Sequence, residues 1–109
     1  MSAARRGDVV VCSDADLAGL IPGYLKNRRR DVKEIGRFLR EGNLQEIQRL
    51  GHDMKGSGGG YGFDEITLMG GEIEEAARKG EKETLFELQK RLTEYLSQVK
   101  VLPISADKV

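Results

Sequence analysis

Between Pro22 and Pro103 the chain runs about eighty residues without a proline, so nothing in that stretch deletes a backbone donor or wedges a ring into a helical turn. Long helices are permitted there, and apolar residues recur at the spacing that helices need. Leu25, Val32, Ile35 and Leu39 form one stripe, and Leu44, Ile47, Leu50 and Met54, extended by Tyr61, form a second. Ile66, Met69, Ile73, Ala76 and Ala77 form a third, and Leu85, Leu88, Leu92, Leu96 and Val99 a fourth. Glycines supply the stops, at Gly42-Asn43 and at Gly80, and the last segment closes before Pro103.

The starts are also marked. Pro22 suits the first position of a helix running to Glu41, and Asp64 can cap the segment that carries Ile66. Ser13 can cap a short additional helix over 14–21, with Asp14 and Asp16 in its first turn, where the helix dipole favours acid. Short loops favour antiparallel neighbours, because they cannot carry the chain to the far end of a helix. The expected fold is all-α: an antiparallel up-down-up-down four-helix bundle over 13–102 with a short extra N-terminal helix, an arm over 1–12 and a tail over 103–109. Val9-Val10-Val11 has β character, but one short run without a partner cannot make a stable sheet, so it is assigned to the arm.

A chain of 109 residues is about one domain, too short for a kinase or nucleotidase plus a regulatory module. Lys and Arg number 18 and Asp and Glu 18, so no global field favours nucleic acid or an anionic membrane. Partners must be chosen by local surface. Cys12 is the single cysteine and His52 the single histidine, which rules out an internal disulfide and a four-ligand zinc site of the usual kind. The apolar run 9–12 is too short for a signal-peptide core or a membrane span, and the expectation is a cytoplasmic protein.

His52 opens the run His52-Asp53-Met54-Lys55-Gly56-Ser57-Gly58-Gly59-Gly60-Tyr61-Gly62-Phe63. On a wheel, Leu44, Ile47, Leu50 and Met54 fall within about 60° of one direction and His52 roughly 140° away, so the ring should face solvent. Gly56 and Gly59 follow one and two turns on, about 40° and 20° from His52, with Lys55 about 60° to one side. Glycine inside a helix costs about 1 kcal/mol relative to alanine, and that cost needs an offset. The glycines either end the helix in a loop, the simpler account for 59–62, or leave room for another macromolecule beside the imidazole, the better account for Gly56. The Lys55 ammonium would oppose protonation of the ring and attract an anion bound to it, which suits a phosphoryl group. Neutral imidazole is a good nucleophile toward phosphorus, and the nitrogen remote from the backbone projects farthest.

At these residues the chain resembles the histidine-containing phosphotransfer (HPt) domains of bacterial phosphorelays, whose motif is His-x-x-Lys-Gly followed by small residues and a glycine. His52, Lys55, Gly56, Ser57 and Gly62 match in order, and Ile21-Pro22, Gly42-Asn43 and Ile73-Glu74-Glu75-Ala76-Ala77 extend the likeness over about 16–101. Gly58-Gly59-Gly60 departs from the helix formers of many members. The resemblance implies that His52 takes a phosphoryl group from a receiver-domain aspartyl phosphate, or from a hybrid histidine kinase relay, and passes it to another receiver aspartate. It also implies that Lys55 steadies the phosphoryl oxygens and that Gly56 leaves room for receiver loops. Such domains bind no nucleotide and no metal; the receiver's acidic pocket brings the Mg²⁺. A monomeric phosphocarrier without ATP-dependent kinase activity is expected, and Met1 and the stop after the last helix suit a free-standing protein.

Gln45 and Gln48, one turn before His52 on its side, and Gly59 beyond it are candidate partner contacts. Arg28-Arg29-Arg30 could meet an acidic receiver rim, but a solvated helix surface is the simpler account. Nucleotide-loop readings fail on order, since Lys55 precedes Gly56 and no strand leads into the glycines. The remaining rival is a non-catalytic helical module that binds a receiver or a kinase and uses His52 only as a contact.

Overall fold

The computed structural model describes residues 9–13 and 19–103, and for 9–13 and 100–103 its description is of the backbone alone. Four helices carry the chain: α1 (Ile21–Glu41), α2 (Leu44–Ser57), α3 (Asp64–Lys79) and α4 (Lys82–Gln98). Two short strands, β1 (Val9–Ser13) and β2 (Val99–Pro103), stand outside the bundle.

Local chemistry accounts for the helix ends. α1 begins with Pro22 in its first turn and stops at Gly42, where a left-handed φ of 73° lets the chain turn back on itself. The Gly42 N–H donates to the Leu39 carbonyl and the Asn43 N–H to that of Phe38, which satisfies carbonyls the helix leaves without partners. Asn43 then caps α2, its side chain accepting from the Glu46 N–H at 3.4 Å. The same backbone closure recurs after α3, where Gly80 and Glu81 donate to Ala77 and Ala76.

The start of α3 differs from the sequence expectation. Phe63, not Asp64, occupies the cap position, without a side-chain cap bond. Its ring is fully buried and its carbonyl accepts from Ile66 and Thr67, so packing fixes this turn, and Asp64 and Glu65 serve as first-turn acids. Ahead of α1, residues 14–18 of the expected 14–21 helix lie outside the described residues; Gly19 and Leu20 form a turn, and Ile21 already belongs to α1.

The expected stripes meet in one core. Ile35, Ile47, Met54, Ile66, Ile73, Leu85 and Leu92 are fully buried. Leu44, Tyr61 and Val99 are only partly buried against this core. Tyr61 does not extend the α2 face, because α2 ends at Ser57 and a turn of 3₁₀ helix spans Gly59–Tyr61. Each helix packs on its sequence neighbour, and α4 closes on α1.

Two corrections concern the chain ends. α4 stops at Gln98, so Val99 leads β2 and does not extend the helical stripe. The run 9–12, assigned from sequence to an unpaired arm, pairs in parallel with β2 in the register Val9 to Val99, and Ser13, expected to cap a helix, instead ends β1 opposite Pro103. The partner that it lacked starts with Val99-Lys100-Val101, whose two valines are β-branched and whose first the helical stripe had absorbed.

α2 and α3 approach each other closely. A Cβ on Gly51 would lie 2.6 Å from the Glu74 backbone nitrogen and 2.8 Å from the Gly70 carbonyl; one on Gly70 would lie 2.5 Å from the Lys55 nitrogen. These helices touch backbone to backbone. Gly56, by contrast, has nothing within 4 Å of its Cβ position. Opposite signs are therefore expected for two alanine substitutions. Gly51→Ala should lower stability in urea unfolding by about 1–3 kcal/mol, since a packed contact must open. Gly56→Ala should raise it by up to about 1 kcal/mol through helix propensity alone.

Candidate functional site

His52 stands on the outer face of α2 with 65% of its side chain exposed. Its Nδ1 lies 3.0 Å from Oε2 of Glu74, which projects from α3, and Oε1 of the same carboxylate lies 3.0 Å from Lys55 Nζ. One carboxylate thus holds both motif side chains. An ionised carboxylate only accepts, so in the neutral ring the proton sits on Nδ1, and Nε2 keeps its lone pair. That nitrogen is the one remote from the backbone.

Glu74 is the functional residue that sequence reasoning missed. It reaches His52 because Gly51 and Gly70 bring the two backbones together directly beneath it. The hydrogen bond from Lys55 is the main reason that its carboxyl is held below the usual glutamate range, with the His52 contact adding to the effect against a partial desolvation penalty. A sequence signal existed in the spacing Gly70, Gly71, Glu74, which puts an acid one turn from two small residues on one helix face. Its partner, however, lies on another helix.

Gln45 and Gln48 line an open groove of about 530 Å³ together with Glu46, Arg49, His52 and Glu74. Arg49 is fixed there by Glu46 at 2.8 Å and Asp53 at 3.3 Å. Gly56 presents open backbone one turn beyond His52. Gly59 lies past the end of α2 in the 3₁₀ turn, so the wheel used for a continuous helix does not place it; its Cβ position is 3.6 Å from Thr67 Oγ1. Gly58 is different again. A Cβ there would meet the Thr67 nitrogen at 2.7 Å and the Phe63 carbonyl at 2.8 Å, so this glycine seats the turn against α3.

The motif serine faces inward from the other flank of α2. Ser57 Oγ is 3.0 Å from the Tyr24 hydroxyl and accepts from Arg28 Nη1 at 3.4 Å. Tyr24 stacks on Tyr61 with ring centroids 4.3 Å apart and on Phe63 at 5.7 Å, which pins the glycine turn to α1. Arg28 lies over the Tyr24 ring and pairs with Asp31 at 2.9 Å, so it separates from Arg29 and Arg30, which are exposed. Burial lifts the Asp31 carboxyl above its usual range although Arg28 opposes the shift.

Among the described residues, no three His, Cys, Asp or Glu side chains gather as a metal-holding set. No helix among them is long and apolar enough to cross a membrane. What the arrangement offers is a nucleophilic nitrogen with a fixed tautomer, a cation within one helical turn of it, and bare backbone alongside.

The family model described as Hpt domain matches residues 23–101, which take in all of the site. Among the curated proteins and the solved structures compared, none matches the chain.

The pairing has a measurable signature. The Glu74 side-chain carboxyl, followed by carbon NMR, should titrate below the ordinary glutamate range, and Lys55→Ala should move its midpoint upward, since the largest lowering influence is then gone. Because the folded pKa is depressed, stability drawn from this carboxylate is present above the unfolded pKa and lost as pH falls through the folded one. An unshifted midpoint in Lys55→Ala would contradict the shared clamp.

Proposed function

The chain belongs to the Hpt domain family, whose members serve histidine phosphotransfer in phosphorelays with receiver and kinase domains, and from that premise we propose a receiver-to-receiver relay through His52. The observation that carries this reading is the Glu74 contact with Nδ1, which leaves Nε2 unprotonated on the exposed edge of the ring.

In the forward step the Nε2 lone pair attacks the phosphorus of a receiver aspartyl phosphate in line with the leaving oxygen. The P–N bond forms, the P–O bond to the aspartate breaks, and the electron pair leaves with that carboxylate. The Nδ1 proton stays on the ring, shared with Glu74, while the imidazole takes up positive charge. The return step runs the same sequence backward onto a second receiver. Lys55, held within reach by Glu74 Oε1, exchanges this partner for a phosphoryl oxygen as negative charge arrives. Gly56 admits the receiver loops, and Gln45 and Gln48 border the groove they enter. Mg²⁺ is assigned to the receiver's acidic pocket.

The same reading takes the bundle as up-down-up-down. The sequence order of the α2–α3 approaches, Gly51 to Glu74 and Gly58 to Thr67, supports it, since the contacts run in opposite directions along the two helices. A cytoplasmic site of action agrees with the single cysteine.

Incubation with a phosphorylated cognate receiver should place acid-labile, base-stable label on the wild type and none on His52→Gln. Label surviving that substitution would sink the site assignment. Glu74→Leu frees the tautomer and should slow transfer roughly 10- to 100-fold, by analogy with the loss seen when the partner orienting a metal-bound histidine is removed. Gly56→Leu should block receiver docking with the fold intact, and unchanged transfer in that variant would refute its steric role. A purely contact-making His52 predicts instead that His52→Gln still binds the receiver and that the wild type takes no label.

A further inference from the structure

A second surface lies on the other side of the bundle from His52. Along the outer face of α1, Lys26, Arg30, Lys33, Arg37 and Arg40 are all exposed and recur at alternating four- and three-residue steps. They fall within an arc of about 80° and span about 21 Å, with Arg29 at the edge of the arc. The acids of α1 sit on the flank away from α4, where Asp31 pairs with Arg28, and Glu34 and Glu41 pair with Arg37. Among the described residues no carboxylate lies within 4.0 Å of Lys26, Arg29, Arg30, Lys33 or Arg40. In a chain with no net charge, this stripe is a local excess of cation.

On its α4 side the stripe borders a groove of about 390 Å³ floored by Val32 and Leu96, with Arg29 and Lys33 on one rim and Gln89 and Thr93 on the other. Among the described residues no carboxylate lines it. Cross-links between the helices shape its walls: Arg29 Nη2 donates to the Leu96 carbonyl at 3.4 Å, and Gln89 Nε2 to that of Val32 at 3.0 Å. Gly36 makes room for the second, since a Cβ there would lie 2.7 Å from Gln89 Nε2. The phosphoryl site uses α2 and α3, and the groove uses α1 and α4, so both can be occupied at once.

We infer that the stripe and groove form a second docking surface, for an acidic amphipathic helix of a protein partner. Its aliphatic side chains would seat over Val32 and Leu96, and its carboxylates would face Lys26, Arg29, Lys33 and Arg40. This is recognition of a helix by a groove, with charge setting orientation. A membrane fits less well, because surface insertion needs apolar side chains exposed beside the cations. Among the described residues the large exposed apolar side chains are Leu20, Leu68 and Phe86, and of these only Phe86, one turn before Gln89 on the same face of α4, stands beside the groove, which leaves a single ring to insert. Single-stranded nucleic acid fits less well too, because among the described residues no aromatic side chain lines the groove for bases to stack on. The inference does not depend on phosphotransfer.

The test uses the full chain and a fluorescein-labelled synthetic peptide with leucines at helical spacing flanked by glutamates, followed by anisotropy. The comparison ligands are a scrambled peptide of the same composition, phosphatidylserine vesicles and single-stranded DNA. The patterned peptide should bind at least about tenfold tighter than the scrambled one, a difference that order and not charge must supply. Its affinity should fall with added salt. The triple variant Lys26→Glu, Lys33→Glu, Arg40→Glu should lose binding, and Thr93→Glu should weaken it, while both keep phosphotransfer to a receiver. His52→Gln should bind the peptide like the wild type. The proposal is overturned if the patterned peptide fails to bind, if the scrambled one binds equally well, if vesicles or DNA bind more tightly, or if the triple variant binds unchanged.

Discussion

The side chains missing at Gly51 and Gly70 set the distance between α2 and α3, and the site depends on that distance. With backbone atoms of one helix within 3 Å of where the other's Cβ atoms would be, α3 lies close enough for the short reach of Glu74 to meet His52 and Lys55 together. A helix pair spaced by ordinary side chains sits 8–10 Å apart, and a glutamate on it would meet water first. Each helical glycine costs about 1 kcal/mol of propensity, so α2 is a weak helix taken alone. Its stability comes from the face it buries, where Ile47, Leu50 and Met54 enter the shared core.

Sharing one carboxylate between an imidazole and an ammonium makes the two motif residues interdependent. Glu74 supplies the negative charge that holds Lys55 near the ring. In the proposed relay, a phosphoryl group arriving at Nε2 would compete with Glu74 for the same cation while the ring, newly charged, would lean harder on Glu74. The carboxylate would lose one partner as its hold on the other strengthened, so the environment would adjust without importing a new group. The low exposure of Glu74, 22% of its side chain against 65% for His52, favours a fixed acceptor beneath an accessible nucleophile.

Much of the fold was legible because helix formation is local. The stripes from Leu25 to Leu96 and the stops at Gly42-Asn43 and Gly80 all follow from residues within a turn or two of each other. Long-range facts were not legible. Val9 to Cys12 looked unpaired because its partner lies at the far end of the chain, where Val99 also fitted a helical stripe. Phe63 displaced Asp64 from the cap because burying an aromatic ring outweighs one side-chain hydrogen bond. Arg28 looked like one of three equivalent surface cations, yet one residue's rotation about α1 turns it over Tyr24 and leaves Arg29 and Arg30 outside. For the site, the exposed histidine and the open Gly56 could be placed from their own helix, while Glu74 could not.

The glycines show the same divide within a single residue type. In sequence, Gly51, Gly56, Gly58, Gly59 and Gly60 are five absences of a side chain, and phase on α2 separates only the first two. In the structure they do different work: Gly51 and Gly58 yield space to α3, while Gly56 and Gly60 yield it to solvent. Propensity assigns them one cost, but only the inward pair recovers it within the molecule, through contacts that a methyl group would forbid. Gly56 recovers nothing from the fold. A helical glycine that is exposed, contact-free and one turn from His52 is the opening that the proposed docking of a receiver would use.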